Sequence, residues 1–281
     1  MATLANMRAD VRSILVEASA QFYTDAEINR WLNYGYKNFI ARTEWTERIK
    51  AYPVVANQFI YTAASDLIKV NMIRWKDQYF VQHKDMDEFA RYAGFSDQTS
   101  DRPTVYQLWP DGNIRIYPIP SAASASSTVS GAHNSSVTTI ALADASSFPS
   151  RGRIILNDSE QVLYYAKSGN NLTQCVRGDG QSTAASYVGA ETAKYAPLEV
   201  YMSYMPADLS ADGDTTRLGP NYDEALVHYA TFRALQKRDK YKEAQAHKDE
   251  YESIANLAVN ERKKVQLDRL YYIKEEDSSM E

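Results

Sequence analysis

The sequence predicts an α+β fold: a helical bundle, made of an N-terminal helix pair and long C-terminal helices, packed on a small antiparallel sheet, with an all-β domain inserted. Helical periodicity at both ends of the chain, strand-like segments between them and a fall in charge over residues 121–197 lead to this prediction. With 281 residues, of which 44% are hydrophobic and 24% charged, the chain can bury one sizeable core and a second small one.

An apolar stripe with three- and four-residue spacing predicts the first helix. Its members are Leu4, Met7, Val11, Ile14, Leu15 and Ala18. Thr24 and Glu27 match a capping box, so a second helix is expected to begin after Thr24. The apolar face of that helix contains Ile28, Trp31, Leu32, Gly35 and Phe39. Because Gly35 costs a helix roughly 1 kcal/mol against alanine, we expect another helix to approach closely there.

The middle of the chain has the patterns of strands and turns. The predicted strands lie in IKAYPVVANQFIYTA, LIKVNMIRW, TVYQLWP, NIRIYPIP and LEVYMSYMP. Asp111 and Gly112 predict a hairpin turn between the third and fourth of these segments. Asp85 or Asp87 is expected to cap a short helix.

Residues 121–197 differ from the rest of the chain in composition. They hold five basic and five acidic residues but six of the eleven glycines. SAASASSTVSGAHNSS is interpreted as a linker, and short strands are predicted in VTTIALAD, GRIILN, EQVLYYA and LTQCV. We therefore predict a discontinuous core domain, 1–120 and 198–265, with a small β-domain, 121–197, inserted into a hairpin so that both exit strands pair in one sheet.

Two further helices are predicted after Gly219. The first covers DEALVHYATFRALQKRD, and a break near Asp239 separates it from a long second helix. The basic run 262–264 favours a helix C-terminus there. Residues 266–281 are then a C-terminal tail in which apolar residues precede acidic ones, a pattern typical of segments that bind a partner groove.

No motif in the sequence indicates catalysis or cofactor binding. The G-x-S-x-G, P-loop and G-x-G-x-x-G patterns are absent. The four histidines, which lack the spacing of metal ligands, are His83, His133, His228 and His247. The acidic segment 208–214 misses the spacing of a calcium loop. We therefore expect no enzyme activity, no cofactor and no metal.

One tripeptide, Arg177-Gly178-Asp179, matches a sequence that some cell adhesion receptors bind. Another glycine follows it, so a tight turn is the favoured interpretation. The net charge of −5 argues against strong nucleic-acid binding, which needs a basic surface. Cys175 is the only cysteine, and neither a signal peptide nor the roughly 20 apolar residues of a membrane span are found, so cytoplasmic synthesis without membrane contact is expected.

The predicted core domain resembles bacteriophage head-to-tail adaptor, or connector, proteins. In that family a Tyr-rich strand and a proline precede a loop with Asp and Leu-Gly/Pro, and then a helical hairpin with an A-L-x-x-Y-A core. The matching residues are Tyr204, Pro206, Leu218, Pro220, Ala225, Leu226, Tyr229 and Ala230.

A second resemblance falls in the inserted segment. Residues 136–190 are similar to a small β-module of several phage virion proteins, with a T-x-I-x-L start, an F-P-x-x-G turn and a C-x-R-G end. The residues that carry it are Thr139, Phe148, Pro149, Gly152, Glu160, Tyr165, Leu172, Cys175, Arg177 and Gly178. The typical adaptor lacks such an insertion.

The resemblance implies a non-enzymatic virion protein of the phage neck, made in the host cytoplasm. Its subunits would form a dodecameric ring below the portal and continue the DNA channel towards the tail. Implied partners are further copies of the chain, the portal protein, and a tail nozzle or tail-completion protein, while DNA passes without specific binding. Segment 121–197 is expected to face outward, because an inward position would block the channel, and to contact a tail fibre, a tailspike or a neighbouring subunit. The 21 tyrosines suit either subunit interfaces or half-buried positions.

The portal contact is predicted in the tail. Its residues are Leu267, Leu270, Tyr271, Tyr272, Ile273, Glu275, Glu276 and Asp277. The apolar members would insert into a groove, and the acidic members would meet basic portal residues. Alternatively, Leu270 and Tyr271 pack back on the long helix.

Two other functions stay open at this point. One is a virion-associated tail accessory or adhesin whose β-domain binds carbohydrate or a host surface. The other is an uncharacterised hydrolase.

Overall fold

The computed structural model describes residues 1–17, 22–76, 78–93 and 98–278, with side chains except at 92, 93 and 265–278. In this part of the chain the helices are α1 (Leu4–Ile14), α2 (Asp25–Thr43), α3 (Met86–Ala93), α4 (Asp223–Lys237) and α5 (Tyr241–Ser278). A short 3-10 helix covers Asp179–Gln181.

The described strands fall between α2 and α4. They are β1 (Glu47–Tyr52), β2 (Ile60–Thr62), β3 (Leu67–Trp75), β4 (Tyr79–His83), β5 (Thr99–Ser100), β6 (Val105–Leu108), β7 (Asn113–Tyr117), β8 (Ile119–Pro120), β9 (Ser126–Thr128), β10 (Thr139–Ala141), β11 (Gly152–Leu156), β12 (Glu160–Tyr164), β13 (Ala166–Ser168), β14 (Asn171–Thr173), β15 (Thr192–Tyr195) and β16 (Leu198–Tyr204). Helices at both ends and sheets between them confirm the predicted α+β class.

The chain divides into two compact units. The helical unit consists of residues 1–46 and 204–281, and the sheet unit consists of residues 47–203. The sheet unit therefore contains segment 121–197 together with the strands that flank it. That this segment is a domain of its own stays a prediction.

The N-terminal helices are capped and packed as their sequence predicts. Thr24 and Glu27 form the capping box, with each side chain bonded to the backbone N–H of the other residue. Leu4, Met7, Val11 and Leu15 of the first stripe are buried, and Ala18 lies outside the described residues. Ile14 is the exception, because 42% of it is exposed.

Gly35 marks a close helix contact, as predicted. A Cβ atom placed on Gly35 would lie 3.0 Å from the Cβ, Cγ and Cδ1 atoms of Tyr229 on α4. No larger side chain fits between α2 and α4 at this point without moving the tyrosine.

The C-terminal helices break where expected but do not end where expected. Asp239 has a positive φ of 56°, and α5 begins two residues later. The helix end predicted near Lys264 was wrong, because the backbone stays helical through Ser278. Helix propensity in 266–278 outweighs the charge pattern, since Leu, Arg, Lys and Glu are all good helix formers.

The sheet unit is built on a seven-stranded sheet of order β1-β16-β3-β4-β6-β7-β2. The sheet was predicted to be antiparallel, and it contains one parallel pair, in which Gln82 and His83 of β4 pair with β6. The hairpin at Asp111 and Gly112 is confirmed: β6 and β7 pair antiparallel, and Gly112 has a φ of 76°. The exit strands β7 and β16 share this sheet, but β3, β4 and β6 lie between them, so they do not pair with each other.

Segment 121–197 contains two further sheets, β12-β11-β15-β9 and β10-β14-β13. They enclose a core of apolar side chains that includes Ile140, Phe148, Ile154, Val162, Tyr164 and Leu172. The predicted linker was wrong in part, because β9 lies within it and Val129 is 3% exposed. A three-residue strand of serine and threonine has no hydrophobic alternation that could reveal it.

Candidate functional site

The residues of the adaptor-like segment lie in the core of the helical unit. Ala225, Leu226 and Ala230 of α4 are fully buried, and so is Leu218 in the loop before α4. The ring of Tyr229 packs on Gly35, and its centroid lies 5.2 Å from that of Tyr251 on α5. The A-L-x-x-Y-A pattern therefore holds α2, α4 and α5 together.

The loop between β16 and α4 is fixed by side chains of α2. The Asn33 amide accepts a hydrogen bond from the Leu209 N–H at 2.8 Å and donates one to the Leu209 carbonyl at 3.0 Å. The Tyr36 hydroxyl accepts a hydrogen bond from the Arg217 N–H at 2.7 Å. Burial raises the pKa of Tyr36 to about 12, so this hydroxyl stays protonated at neutral pH. The loop is thereby held in one conformation.

Asp223, at the start of α4, connects three parts of the helical unit. Its carboxylate accepts the Ala2 N–H at 2.6 Å and the Thr216 hydroxyl at 2.5 Å. Thr3 and Thr215 form an isolated β-bridge beside it. The start of the chain is thus tied to the loop and to the helix N-terminus.

The acidic segment 208–214 is a loop held by ion pairs to α1 and α2 and by hydrogen bonds within the loop. Asp208 pairs with Lys37 at 2.8 Å, and Asp212 pairs with Arg8 at 2.9 Å. Asp214 accepts the N–H groups of Ser210 and Ala211, which lower the pKa of its carboxyl. These carboxylates face separate protein partners. In the part of the chain that the structure describes, no three His, Cys, Asp or Glu residues are grouped as metal ligands.

Two histidines meet where α4 packs on α5. The Nδ1 atoms of His228 and His247 lie 2.9 Å apart, so the N–H of one ring donates a hydrogen bond to the nitrogen of the other. Burial and the neighbouring His228 ring lower the pKa of His247, against the opposing charges of Glu243 and Glu250. The neutral form of His247 is therefore favoured. No sequence pattern indicates this contact, because the 18 residues between the two histidines reveal no relation until the helical hairpin is known.

A shallow cleft of about 370 Å³ lies beside α1 and α4 in the helical unit. Met7, Ile14 and Val227 line it with apolar surface, and Asp10 and Glu224 add acidic groups. Such a lining suits an apolar side chain of a protein partner with a basic group nearby.

Arg177 of the adhesion-like tripeptide is bound internally. Its guanidinium pairs in a bidentate manner with Glu160, at 2.6 and 2.7 Å, and also donates to the carbonyls of Asn134 and Ala185. The Arg177 side chain is 5% exposed and that of Glu160 is fully buried. Asp179, the third member, pairs with Arg153. The tripeptide therefore forms a turn with its charges directed inward, as the sequence analysis favoured.

Tyrosine serves both of the roles considered for it. Eleven tyrosines of the described part are buried, among them Tyr23, Tyr36 and Tyr251. Tyr34 and Tyr241 of the helical unit are 50% and 62% exposed. Packing thus accounts for many of the tyrosines, and the exposed ones are available to partners.

Two exposed apolar side chains, Val16 and Phe22, lie between α1 and α2 in the sequence. Val16 is 92% exposed and has a positive φ of 55°, which is strained for a β-branched residue. Phe22 is 47% exposed and lies under the guanidinium of Arg238, 4.7 Å from the ring centroid. The Glu17 carboxylate accepts the Phe22 N–H. Val16 and Phe22 thus present apolar surface to solvent.

The predicted portal-binding residues lie on α5. Their backbone is helical through Asp277, while their side chains lie outside the described residues. They are Leu267, Leu270, Tyr271, Tyr272, Ile273, Glu275, Glu276 and Asp277. Their role, and the alternative in which Leu270 and Tyr271 pack back on α5, stay predictions.

In the described part of the chain, the residues that match the adaptor pattern pack the core of the helical unit, and the polar clusters bind one another. The family model described as SU10 adaptor protein matches residues 2–271, which is nearly the whole chain. The chain therefore belongs to the SU10 adaptor protein family and is a structural adaptor of a bacteriophage virion, where such proteins lie in the neck. No curated protein matches it. None of the described helices combines the length and the apolar content needed to cross a membrane.

Proposed function

We propose that this adaptor forms a closed dodecameric ring between portal and tail and continues the DNA channel. Membership of the adaptor family carries the proposal. Exposed apolar side chains in the helical unit, such as Val16, Phe22 and Tyr34, support a protein contact in the assembled state. The net charge of −5 suits a channel through which DNA slides without being held.

Segment 266–281 supplies the portal anchor in this proposal. Helix α5 has 38 residues and a length of about 57 Å, whereas α4 has 15 residues. Helix α4 is too short to cover α5 along its length. A helix that extends beyond the helix it packs against can lie in a groove of a second protein. Leu267, Leu270 and Tyr271 would be the anchors.

Segment 121–197 faces outward from the ring in this proposal and contacts a tail fibre or tailspike. An inward position would obstruct the channel. Val188, which is 87% exposed, and Tyr165, which is 55% exposed, offer apolar contacts on the surface of this segment. A carbohydrate-binding adhesin remains the competing function for this segment, and glycan binding by the intact chain would favour it.

The ring is tested by mixing the purified chain with portal rings. We expect negative-stain images to show a second ring coaxial with the portal, and native mass spectrometry to record a dodecamer bound to it. Chains that bind the portal in variable number, without a closed ring, would contradict the proposal. Images in which segment 121–197 fills the channel would contradict its outward position.

A further inference from the structure

Strand β1 is an edge of the seven-stranded sheet. It pairs on one side with β16, from Glu47 opposite Ser203 to Tyr52 opposite Leu198. The N–H and C=O groups on the other side of an edge strand are a template for adding a strand from another molecule. The residues that cover these groups in β1 therefore decide whether another chain can pair with this strand.

The side chain of Gln161 binds the free side of β1 as a neighbouring strand would. Its Oε1 accepts the Ala51 N–H at 2.8 Å, and its Nε2 donates to the Ile49 carbonyl at 3.1 Å. A primary amide carries both a donor and an acceptor, so Gln161 supplies the two hydrogen bonds that the N–H and C=O groups of one residue of a missing strand would make. Gln161 itself is 3% exposed and lies on β12, inside segment 121–197.

The 3-10 helix completes the cover. Gly180 has a φ of 62°, and a Cβ atom there would overlap the Ile49 carbonyl oxygen and lie 2.6 Å from Nε2 of Gln161. Only glycine allows the backbone of segment 121–197 to approach β1 this closely. Asp179 accepts a hydrogen bond from the same Nε2 at 2.7 Å and fixes its direction.

Charged and apolar contacts hold this cover in place. Arg153 of β11 donates to Glu199 of β16 at 2.6 Å and to Asp179 at 2.8 Å. The side chains of Arg153 and Glu199 are 7% and 2% exposed. Ala51, Ile155 and Ala196 form a small buried cluster beside them. Opening of segment 121–197 would break the buried Arg153–Glu199 pair, so this contact opposes opening.

We propose that segment 121–197 is a built-in cover for the β1 edge, which keeps an extended strand of a second copy of this chain from pairing with β1. The excluded partner is a second copy because an adaptor works among many identical chains, each with the same edge. The cover restricts contacts between subunits to surfaces other than this sheet edge. Its sites are Gln161, Gly180 and the Arg153 ion pairs.

The test opens the cover without removing it. In the full chain, Gln161→Glu keeps the size of the side chain but loses the donor to the Ile49 carbonyl and places a charge beside Asp179. We expect the Ala51 amide to exchange its hydrogen about tenfold faster, and light scattering to show association beyond that of the natural chain. Gln174→Glu adds the same charge at an exposed position of the same segment and serves as the control. Gly180→Ala opens the cover without a new charge and should act like Gln161→Glu.

A second variant tests whether the association uses the free side of β1. Ala51→Pro removes the N–H that a new strand would bind, and this N–H does not take part in the pairing with β16. Added to Gln161→Glu, it should return the association to the natural level. Association that persists in the double variant, or faster exchange at Ala51 without association, overturns the proposal.

One measurement needs no variant. If segment 121–197 covers β1, the Ala51 amide of the natural chain exchanges only when that segment opens. Its exchange is then as slow as that of Gln161 and other buried amides of the cover. An Ala51 amide that exchanges at the rate of an exposed loop overturns the proposal even where the variants fail to fold.

Discussion

At the residue scale, two basic side chains of segment 121–197, Lys167 and Arg177, bind backbone carbonyl groups of the same segment. The Lys167 ammonium donates to the carbonyl oxygens of Ala145 and Phe148 at 2.9 and 2.6 Å. Arg177 binds Glu160 and two carbonyls in the same way. These long basic side chains thereby connect loops of the segment that lie apart in the sequence.

The Glu160–Arg177 pair leads to a prediction about stability. Glu160→Gln leaves the Arg177 guanidinium buried without its countercharge and should lower the free energy of unfolding by about 3–5 kcal/mol in urea titrations. Asp158→Asn breaks an ion pair with Lys194 in which the Asp158 side chain is 70% exposed, and it should cost no more than about 1 kcal/mol. Equal effects of the two substitutions would contradict the assigned role of Glu160.

The Glu160 carboxylate also predicts that the stability of the protein depends on pH. Burial raises the pKa of Glu160, but hydrogen bonds from Arg177 and the Ala185 amide outweigh it and leave the pKa below its usual 4.5. A lowered carboxyl pKa contributes stability above pH 4.5 that is lost as the pH falls towards the folded-state value. Urea midpoints of the natural chain should therefore fall below about pH 4.5 more steeply than those of Glu160→Gln.

The lowered pKa of His247 predicts that the stability of the protein also depends on pH in a higher range than that of Glu160. Burial and His228 lower the pKa of His247 below 6.5, so the unfolded chain takes up a proton more readily than the folded one. Stability contributed by the neutral His247 is complete above pH 6.5 and falls as the pH drops below it. Thermal melts between pH 7.5 and 5.5 should show this loss in the natural chain and a smaller one in His247→Gln.

At the scale of elements, the α2–α4 contact depends on the absence of a side chain at Gly35. Gly35→Leu should lower the free energy of unfolding by about 1–3 kcal/mol, because its side chain must displace the ring of Tyr229. Ala41→Leu, at an exposed position of the same helix, is the control and should be nearly neutral. A Gly35→Leu variant as stable as the control would show that the two helices separate easily.

Helix α5 is the second element with a testable role. Truncation after Val265 should abolish binding to portal rings, measured by co-sedimentation, while the thermal midpoint of the helical unit changes little. Leu270→Ala with Tyr271→Ala tests the apolar anchors. Glu275→Gln with Glu276→Gln should instead weaken the salt dependence of the association rate. Unchanged affinity after truncation would show that the anchor lies elsewhere.

For the molecule as a whole, the sheet order sets what can replace segment 121–197. Strands β7 and β16 are four strand spacings apart, or about 19 Å at about 4.8 Å each. A two-residue loop cannot span this distance, whereas about ten Gly/Ser residues can. Replacement by the short loop should unfold the sheet unit, and the long loop should keep it folded. Circular dichroism of both variants should retain the helical signal, since the helices form their own unit.

The sequence by itself determined the local features. Apolar spacing, the Thr24–Glu27 capping box and the Asp111-Gly112 turn depend on neighbours a few residues away, and each was confirmed. The close helix contact expected at Gly35 was also confirmed, although its partner, Tyr229, is distant in the sequence. The α+β class follows from the same patterns. Family membership confirms the resemblance to phage adaptors, which rested on the order of segments rather than on any catalytic motif.

Only the tertiary structure decided which distant residues meet. His228 with His247, Glu160 with Arg177 and Gln161 with the β1 edge are polar contacts across long sequence separations. No periodicity encodes such pairs, because the free energy of a buried charge or amide depends on the partner that the fold brings to it. The order of the seven strands was equally hidden, since hydrophobic alternation marks a strand but not its neighbour.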